Sequence, residues 1–482
     1  MNFIIFQPDE LRAESVGCYG HPLAPTPNID ALAAQGTRFD QCHVQHSVCT
    51  PSRCSMMTGW YPHVRGHRTL WHLLWPDEPN MLKYLKQAGY TVLMYGKNDL
   101  LAQASFADSV TTAKSHGSGK FGQNPYSVDD PRYYSFLYAP YDGPLEAHGD
   151  YANVHAAIEF LRTKPTEPFC IFLPLTFPHC PYSAPQPWHD LIDPDDLPPL
   201  RPADLPNRPD FHALIRQYRH LDQLTAAEQE NLLRKIQAVY LGMTGFIDDL
   251  LGQLLAALDE SGLADSTTVT FTSDHGDYAG DYGLVEKWPS AAEDIITRVP
   301  LIVRTPGGKA GHVVNEPMEL FDLMATTLEQ AGVAVEHTHF AQSYTPQLQG
   351  AAGDATRAAY TEGGYARHEP NCFEGRANRD QFARDETHIY YPKGQQQQEQ
   401  PDSVGRVVAM RTARYRFVYR PTGQCEFYDL ATDPQELYNL YGDATHASAY
   451  VDIQRALEQQ LLAWTVQTSD VTPFTMDERG YQ

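Results

Sequence analysis

The chain is short of cations: 36 Lys and Arg stand against 60 Asp and Glu, a formal charge of −24 at pH 7 over 482 residues. That balance excludes nucleic acid as a partner, because binding it needs basic surface that releases counterions. An anionic substrate would have to be drawn in locally, by a metal ion or clustered Lys and Arg, against the field of the whole molecule. No run of about 18 apolar residues is present, so neither a membrane span nor a membrane partner is expected. Cysteine is sparse too, eight in all with no CxxC pair, which favours reduced thiols over a disulfide framework. The opening "MNFIIFQPDE" lacks the basic start and small-residue cleavage site of a signal peptide. A cytoplasmic location is therefore expected, unless an export signal has been trimmed.

What remains is ordinary globular composition, 42% hydrophobic and 20% charged, which rules out a disordered or fibrous chain. "NFIIFQ" (2–7), "TVLMYG" (91–96), "FCIFLPLTF" (169–177), "TTVTFTSD" (267–274) and "PLIVRTPG" (300–307) are continuous apolar or β-branched runs. Such runs predict strands buried on both faces. Helical periodicity separates them at 28–36, 226–262 and 318–332. The alternation predicts an α/β fold, a large mixed, mostly parallel sheet sandwiched by helices. Its ligands should sit beyond the carboxyl ends of the strands.

After 370 the texture changes. "NRDQFARDETHIYYPKGQQQQEQPDSVG" is polar and reads as a surface excursion. The short β-like pieces and turn signals of 407–443 follow, then a closing helix in "VDIQRALEQQLLAWTVQTSD". We place a catalytic unit over 1–365 and a C-terminal subdomain, a small antiparallel sheet plus helix, over 366–482.

The strand ends carry the chemistry. Strand 2–7 runs into Asp9 and Glu10, and strand 267–273 into Asp274 and His275. Three carboxylates and one imidazole suit a hard divalent cation: Ca²⁺ first, with Mg²⁺ or Mn²⁺ as alternatives. Lys97 follows strand 91–96, His179 follows strand 169–177, and Lys287 lies close after the second acidic pair. Singly, an Asp after a strand is more often a turn or cap residue. The argument rests on several strand ends delivering such groups to one rim. In "HSVCTPSR" (46–53), Pro51 suits a first helical turn and "SRCSMMTGW" can continue it to Gly59. Cys49 would then sit at the positive end of a helix dipole with Arg53 one turn on, an arrangement that favours a thiolate or a bound oxyanion. A buried structural cysteine is the plain alternative.

Taken together, these segments resemble the type I, formylglycine-dependent sulfatases of the alkaline phosphatase superfamily. "CTPSR" (49–53) is similar to that family's C-x-P-S-R signature, whose cysteine is oxidised to formylglycine. "PDELRAESVGCYG" (8–20) and "TSDHGDYAGDYGL" (272–284) with Lys287 resemble its two metal segments, and "EFYDLATDPQELYNL" (426–440) resembles its closing motif. The resemblance implies metal binding by Asp9, Glu10, Asp274, His275 and modified Cys49. It implies that Arg53 and Lys97 hold the formylglycine and substrate oxygens, that Lys287 binds the sulfate, and that His179 lies near the leaving oxygen. It also implies a partner, the formylglycine-generating maturation enzyme. A hydrated aldehyde fits the task because one hydroxyl can attack sulfur while the other later lets the carbon expel sulfate.

Two departures stand out. Where the family often has G-K-x-H this chain has Gly96-Lys97-Asn98-Asp99, so Asp99 takes a histidine's place. A carboxylate in a cationic site has a lowered pKa and is a weaker base. Glu10 is a methylene longer than the usual Asp. The expected substrate is a sulfate ester, of a saccharide first, with aryl or small alkyl sulfates open. Trp71 and Trp75, four apart, would share a helical face and stack on a sugar, or pack into the core. Arg367 and His368 are further candidates for the rim. Phosphonate monoester hydrolases and phosphodiesterases share the signature and form the first alternative. An inactive sulfatase-like binding protein is the second, and a homo-oligomer is compatible with all three.

Overall fold

The computed structural model describes residues 1–117, 119–366, 369, 384–443 and 447–471. Its main sheet contains β1 (Asn2–Asp9), β2 (Thr37–His43), β3 (Thr91–Tyr95), β4 (Thr112–Lys114), β5 (Phe169–Pro178), β6 (Thr267–Thr272), β7 (Arg298–Arg304), β8 (His312–Val314) and β9 (Met318–Glu319). The order is β4-β3-β5-β1-β6-β7-β2-β8, with β9 also pairing β2. From β4 to β6 every pairing is parallel, whereas β7 runs antiparallel to both β6 and β2. A mixed, mostly parallel sheet is thus the observed architecture.

Burial explains the unbroken apolar strands. Along β1, Phe3 and Ile5 enter one core and Ile4 and Phe6 the other, because successive side chains face opposite sides. The first core is covered by Cys49–Thr58 and Asp322–Gln330, which contribute Cys54, Met56, Met57, Leu323 and Met324. The second is covered by Gly149–Arg162 and by the long helix Ala226–Ser261. That long helix starts at a capping box between Thr225 and Glu228 and stops at Gly262, whose φ is 76°. By length and composition it could cross a membrane, but 72% of its most apolar window is buried in the protein.

A second sheet holds β10 (Ala359–Gly363), β11 (Val407–Arg411), β12 (Tyr415–Tyr419) and β13 (Glu426–Asp429), each antiparallel to the next. The helix Ala447–Gln467 follows it. Three expectations need correction. The small sheet takes its first strand from 359–363, inside the segment assigned to the catalytic unit. Helix 318–332 opens instead as strand β9, and helix begins only at Asp322. The glutamine run is no surface excursion: Tyr391–Glu399 is a helix with Lys393, Gln396 and Gln397 buried. Polar composition misled there because tertiary partners, rather than hydropathy, decide the burial of those side chains.

Candidate active site

The ends of β1, β3, β5 and β6 meet at the first turn of α2 (Cys49–Thr58), the helix that follows α1 (Pro27–Gln35), as the strand-end rule requires. Local backbone places each group. Gly96, with φ 142°, turns the chain out of β3; a Cβ there would lie 2.0 Å from the Pro174 carbonyl oxygen. Lys97 N then donates to that carbonyl at 2.7 Å, which fixes the start of the lysine side chain. After β1, Glu10 adopts φ 67°, a left-handed conformation rare for a residue with a side chain. Its N–H donates to Asp274 Oδ1 at 3.2 Å and its carbonyl accepts from Tyr240 at 2.6 Å. These bonds hold the turn and separate the directions of Asp9 and Glu10.

Four ligand-type atoms from Asp9, Cys49, Asp274 and His275 lie within 4.8 Å of one another, and all four residues are buried. His275 Nε2 is 3.2 Å from Cys49 Sγ and 3.7 Å from Asp9 Oδ1. The other ring nitrogen, Nδ1, donates to the Gly276 carbonyl at 2.9 Å, so the Nε2 lone pair faces the cluster. That outer hydrogen bond is what a metal-binding imidazole needs. Two carboxylates, one imidazole and the position-49 side chain therefore fit a divalent ion. Glu10 was expected among these ligands, but it belongs to a separate group with His179 and Cys180. Its carboxylate pairs with Lys287 and lies 3.3 Å from His179 Nε2.

Cations frame the cluster. Arg53 donates through Nη2 to Asp9 and through Nε to Asp274, both at 2.8 Å, and its buried Nη1 has no partner among the described residues. Lys97 Nζ reaches Asp9 Oδ2 at 2.7 Å and Asp99 Oδ2 at 2.9 Å. Burial alone would raise the Asp9 carboxyl, yet Lys97 and Arg53 outweigh it and hold the group well below the usual range. Asp99 follows the same pattern, its pKa lowered by Lys97 and Arg53 despite burial. It is an ion-pair partner of Lys97 and a poor base. The Cys49 thiol is pushed well up by burial and by Asp9. Arg53 spends its hydrogen bonds on the two aspartates, so the thiolate expected at this helix terminus is not favoured.

His179 Nδ1 faces the Cys180 carbonyl, and Nε2 lies 2.7 Å from Lys287 Nζ. Nδ1 is thus the donor and Nε2 accepts from the ammonium. Burial, with Lys287 and Lys97 nearby, lowers the imidazole pKa well below its ordinary value, keeping it neutral.

Several residues behind this layer had not been singled out. Tyr182 donates to Asp277 at 2.7 Å and accepts from Glu286 N at 2.8 Å, pinning both ends of the stretch that leads into Lys287. Glu286 is buried between Arg219 and Lys393. Asp277 was within reach of sequence reasoning, two residues after His275. Lys393, from the polar glutamine segment, carried no signal. Trp71 and Trp75 do not share a helical face, since no helix forms there, and both are exposed. Arg367 and His368 lie outside the described residues.

The profile of the family described as Sulfatase matches residues 1–333, more than two thirds of the chain. The chain belongs to the sulfatase family. Its members are sulfuric ester hydrolases of the alkaline phosphatase superfamily. Among curated proteins it is 26% identical to the multifunctional alkaline phosphatase superfamily protein PehA of Trinickia caryophylli, over 97% of this chain and 94% of that one. It is 25% identical to the N-acetylglucosamine-6-O-sulfatase of Bacteroides thetaiotaomicron, over 95% of this chain and 86% of that one. The phosphonate monoester hydrolase of Agrobacterium radiobacter shares the fold, with a TM-score of 0.74 and 21% identity over 97% of this chain and 96% of that one.

Proposed function

We propose that this sulfatase hydrolyses the sulfate ester of a saccharide, using a formylglycine made from Cys49 and a divalent ion, Ca²⁺ first, held by Asp9, Asp274, His275 and position 49. One observation carries the reading: ligand atoms of Asp9, Asp274 and His275 cluster with Cys49 Sγ within 4.8 Å of one another, and Lys97 Nζ lies 3.9 Å from that sulfur. When bound, the ion supplies Lewis-acid charge for the sulfate oxygens and for the nucleophile.

The chain's own groups do the rest. Arg53 orients Asp9 and Asp274 through its two hydrogen bonds, and its Nη1, without a partner among the described residues, offers a further donor to an incoming oxygen. Lys97 and Lys287 supply positive charge where a sulfuryl group gathers negative charge in its transition state. The proton that leaves with the alcohol is held between Lys287 Nζ and His179 Nε2. Position 49, as a hydrated aldehyde, attacks sulfur with one hydroxyl; deprotonation of the other re-forms the aldehyde as sulfate departs. The saccharide preference draws support from the Bacteroides relative, an N-acetylglucosamine-6-O-sulfatase.

A second reading, phosphonate monoester or phosphodiester hydrolysis, is favoured by the fold shared with the Agrobacterium enzyme. Two measurements test the proposal. Intact-protein mass spectrometry after co-expression with a formylglycine-generating enzyme should show Cys49 converted. Side-by-side rates on an aryl sulfate, a phosphate diester and a phosphonate monoester should rank the sulfate first. A higher kcat/KM for either phosphorus ester would replace the first reading with the second.

A further inference from the structure

A cavity of about 400 Å³ lies behind the nucleophile segment, between residues 46–68 and the C-terminal sheet and helix. That volume suits one sugar ring or a small anion-bearing group. Its walls include His46, His63, Arg68, Arg406 and Trp464. In a chain with formal charge −24, so many cationic side chains around one cavity is a local inversion that needs a reason.

Three observations give it one. His46 is buried, and its Nδ1 accepts from Val48 N at 3.2 Å. Burial, with His275 and Arg68 near, takes its pKa down to about 3, so the ring is neutral and its proton is on Nε2. Among the described residues that N–H has no acceptor. A sealed donor without a partner costs about 1–3 kcal/mol unless a ligand supplies one. His63 is fixed as a cation: Nδ1 faces Glu362 Oε1 and Nε2 faces the Thr468 carbonyl at 2.7 Å, so both nitrogens donate. Its pKa is raised, Glu362 overcoming the effect of burial. Arg68 and Arg406 each place one nitrogen on the same oxygen of Glu369. A guanidinium carries five N–H donors, so a second anion can bind without breaking that bridge. Three cations thus face two carboxylates.

The cavity is tied to the reaction centre. Val48, whose N–H His46 accepts, is the residue before the nucleophile helix. Ser47 Oγ donates to the Pro289 carbonyl at 2.9 Å, two residues beyond Lys287, and a Cβ on Gly363 would lie 2.5 Å from that same carbonyl oxygen. Thr50 Oγ1 lies 3.5 Å from the Leu70 carbonyl, so the loop carrying Arg68 crosses the first turn of α2.

We propose that this pocket binds a second anionic group, a carboxylate or a further sulfate, on the sugar next to the one that is desulfated. The substrate would then be an acidic saccharide. The inference rests on the sulfatase reading of Cys49, and the test separates the two. Binding is measured by calorimetry on the Cys49→Ala protein, which leaves the ester intact. Three monosulfated disaccharides serve as probes, alike except that the neighbouring sugar is neutral, carries a carboxylate or carries a second sulfate. At least one anionic form should bind about tenfold tighter than the neutral form. Adding Arg406→Gln, at an exposed side chain, or Thr465→Trp, which fills the cavity from an exposed helix position, should erase that preference. Equal affinity for all three probes, no binding of any, or a preference that survives both substitutions would overturn the pocket. Turnover of a simple aryl sulfate by the unmutated protein reports on the Cys49 reading alone. A surviving anion preference without any such turnover would sink the reaction and leave the pocket standing.

Discussion

Lys287 Nζ lies 2.7 Å from His179 Nε2, and the opposite ring nitrogen, Nδ1, is occupied by the Cys180 carbonyl. The imidazole is therefore the acceptor and the lysine the proton store. If this pair delivers the proton to the leaving oxygen, its value depends on the leaving group. His179→Ala should slow a sugar sulfate by about 10²-fold or more. An aryl sulfate with an acidic phenol should lose less than about tenfold. Equal losses in kcat/KM on both substrates would assign His179 to sulfate binding instead.

Cys49 has its thiol pKa raised by burial and by Asp9, so the unmodified side chain is a poor nucleophile. Cys49→Ser should fold, as shown by an unchanged melting profile, yet lose on the order of 10³-fold or more in kcat. A serine forms no gem-diol and has no second hydroxyl with which to expel sulfate. Turnover near the original value would remove formylglycine from the mechanism.

Chelation provides the third check. Two carboxylates buried within 4.8 Å of each other, with an imidazole and Cys49 beside them, form a ligand set to which a divalent ion adds charge beyond that of Arg53 and Lys97. A divalent ion at a hundredfold excess over its Kd should stabilise the fold by about 2.7 kcal/mol, read as a rise in Tm that EDTA reverses. Asp274→Asn should abolish that rise. A Tm indifferent to both EDTA and added Ca²⁺ would contradict the site.

How much of this was legible beforehand depended on how local the cause was. The runs 2–7, 169–177 and 267–274 announced buried strands because both faces of β1, β5 and β6 are covered. β2, "TRFDQCH", shows a mixed burial pattern and pairs antiparallel to β7, so it gave no comparable signal. Asp9, Cys49, Asp274 and His275 were readable from strand ends and from the signature, and the structure brings them together. Which way Glu10 turns depends on its φ and on Tyr240, residues apart in sequence and joined only by the fold.

His337 ties the C-terminal end of the nucleophile helix to the packing behind it. Nε2 donates to the Thr58 carbonyl at 2.7 Å, leaving Nδ1 to accept from Tyr84 at 3.0 Å, and burial lowers its pKa to about 4. A depressed histidine keeps its full stabilisation above its unfolded pKa near 6.5 and loses it as pH falls towards 4. The loss over that window is up to about 3 kcal/mol. His337→Gln should lessen the slope of unfolding free energy against pH between 6.5 and 4, leaving the part due to other buried histidines such as His46. An unchanged slope would show that His337 does not contribute to it.

Lys393 gives the last prediction, because it connects the least expected helix to the reaction centre. Its Nζ reaches Glu286 Oε1 at 2.7 Å, and Arg219 holds the other oxygen of the same carboxylate. Glu286, with φ 66°, immediately precedes Lys287, and its N–H donates to the Tyr182 hydroxyl oxygen. Burial would raise the Glu286 carboxyl, but Lys393 and Arg219 lower it, so it stays charged. Lys393→Met would leave that charge with one cation instead of two, at a cost of about 3 kcal/mol. It would also loosen the segment that aims Lys287, so kcat should fall while the metal-induced rise in Tm persists. Adding Glu286→Gln removes the stranded charge and should return part of the stability without returning kcat. A double-mutant cycle by denaturant unfolding measures the coupling, and additive losses within about 0.5 kcal/mol would mean that the pair does not anchor the helix.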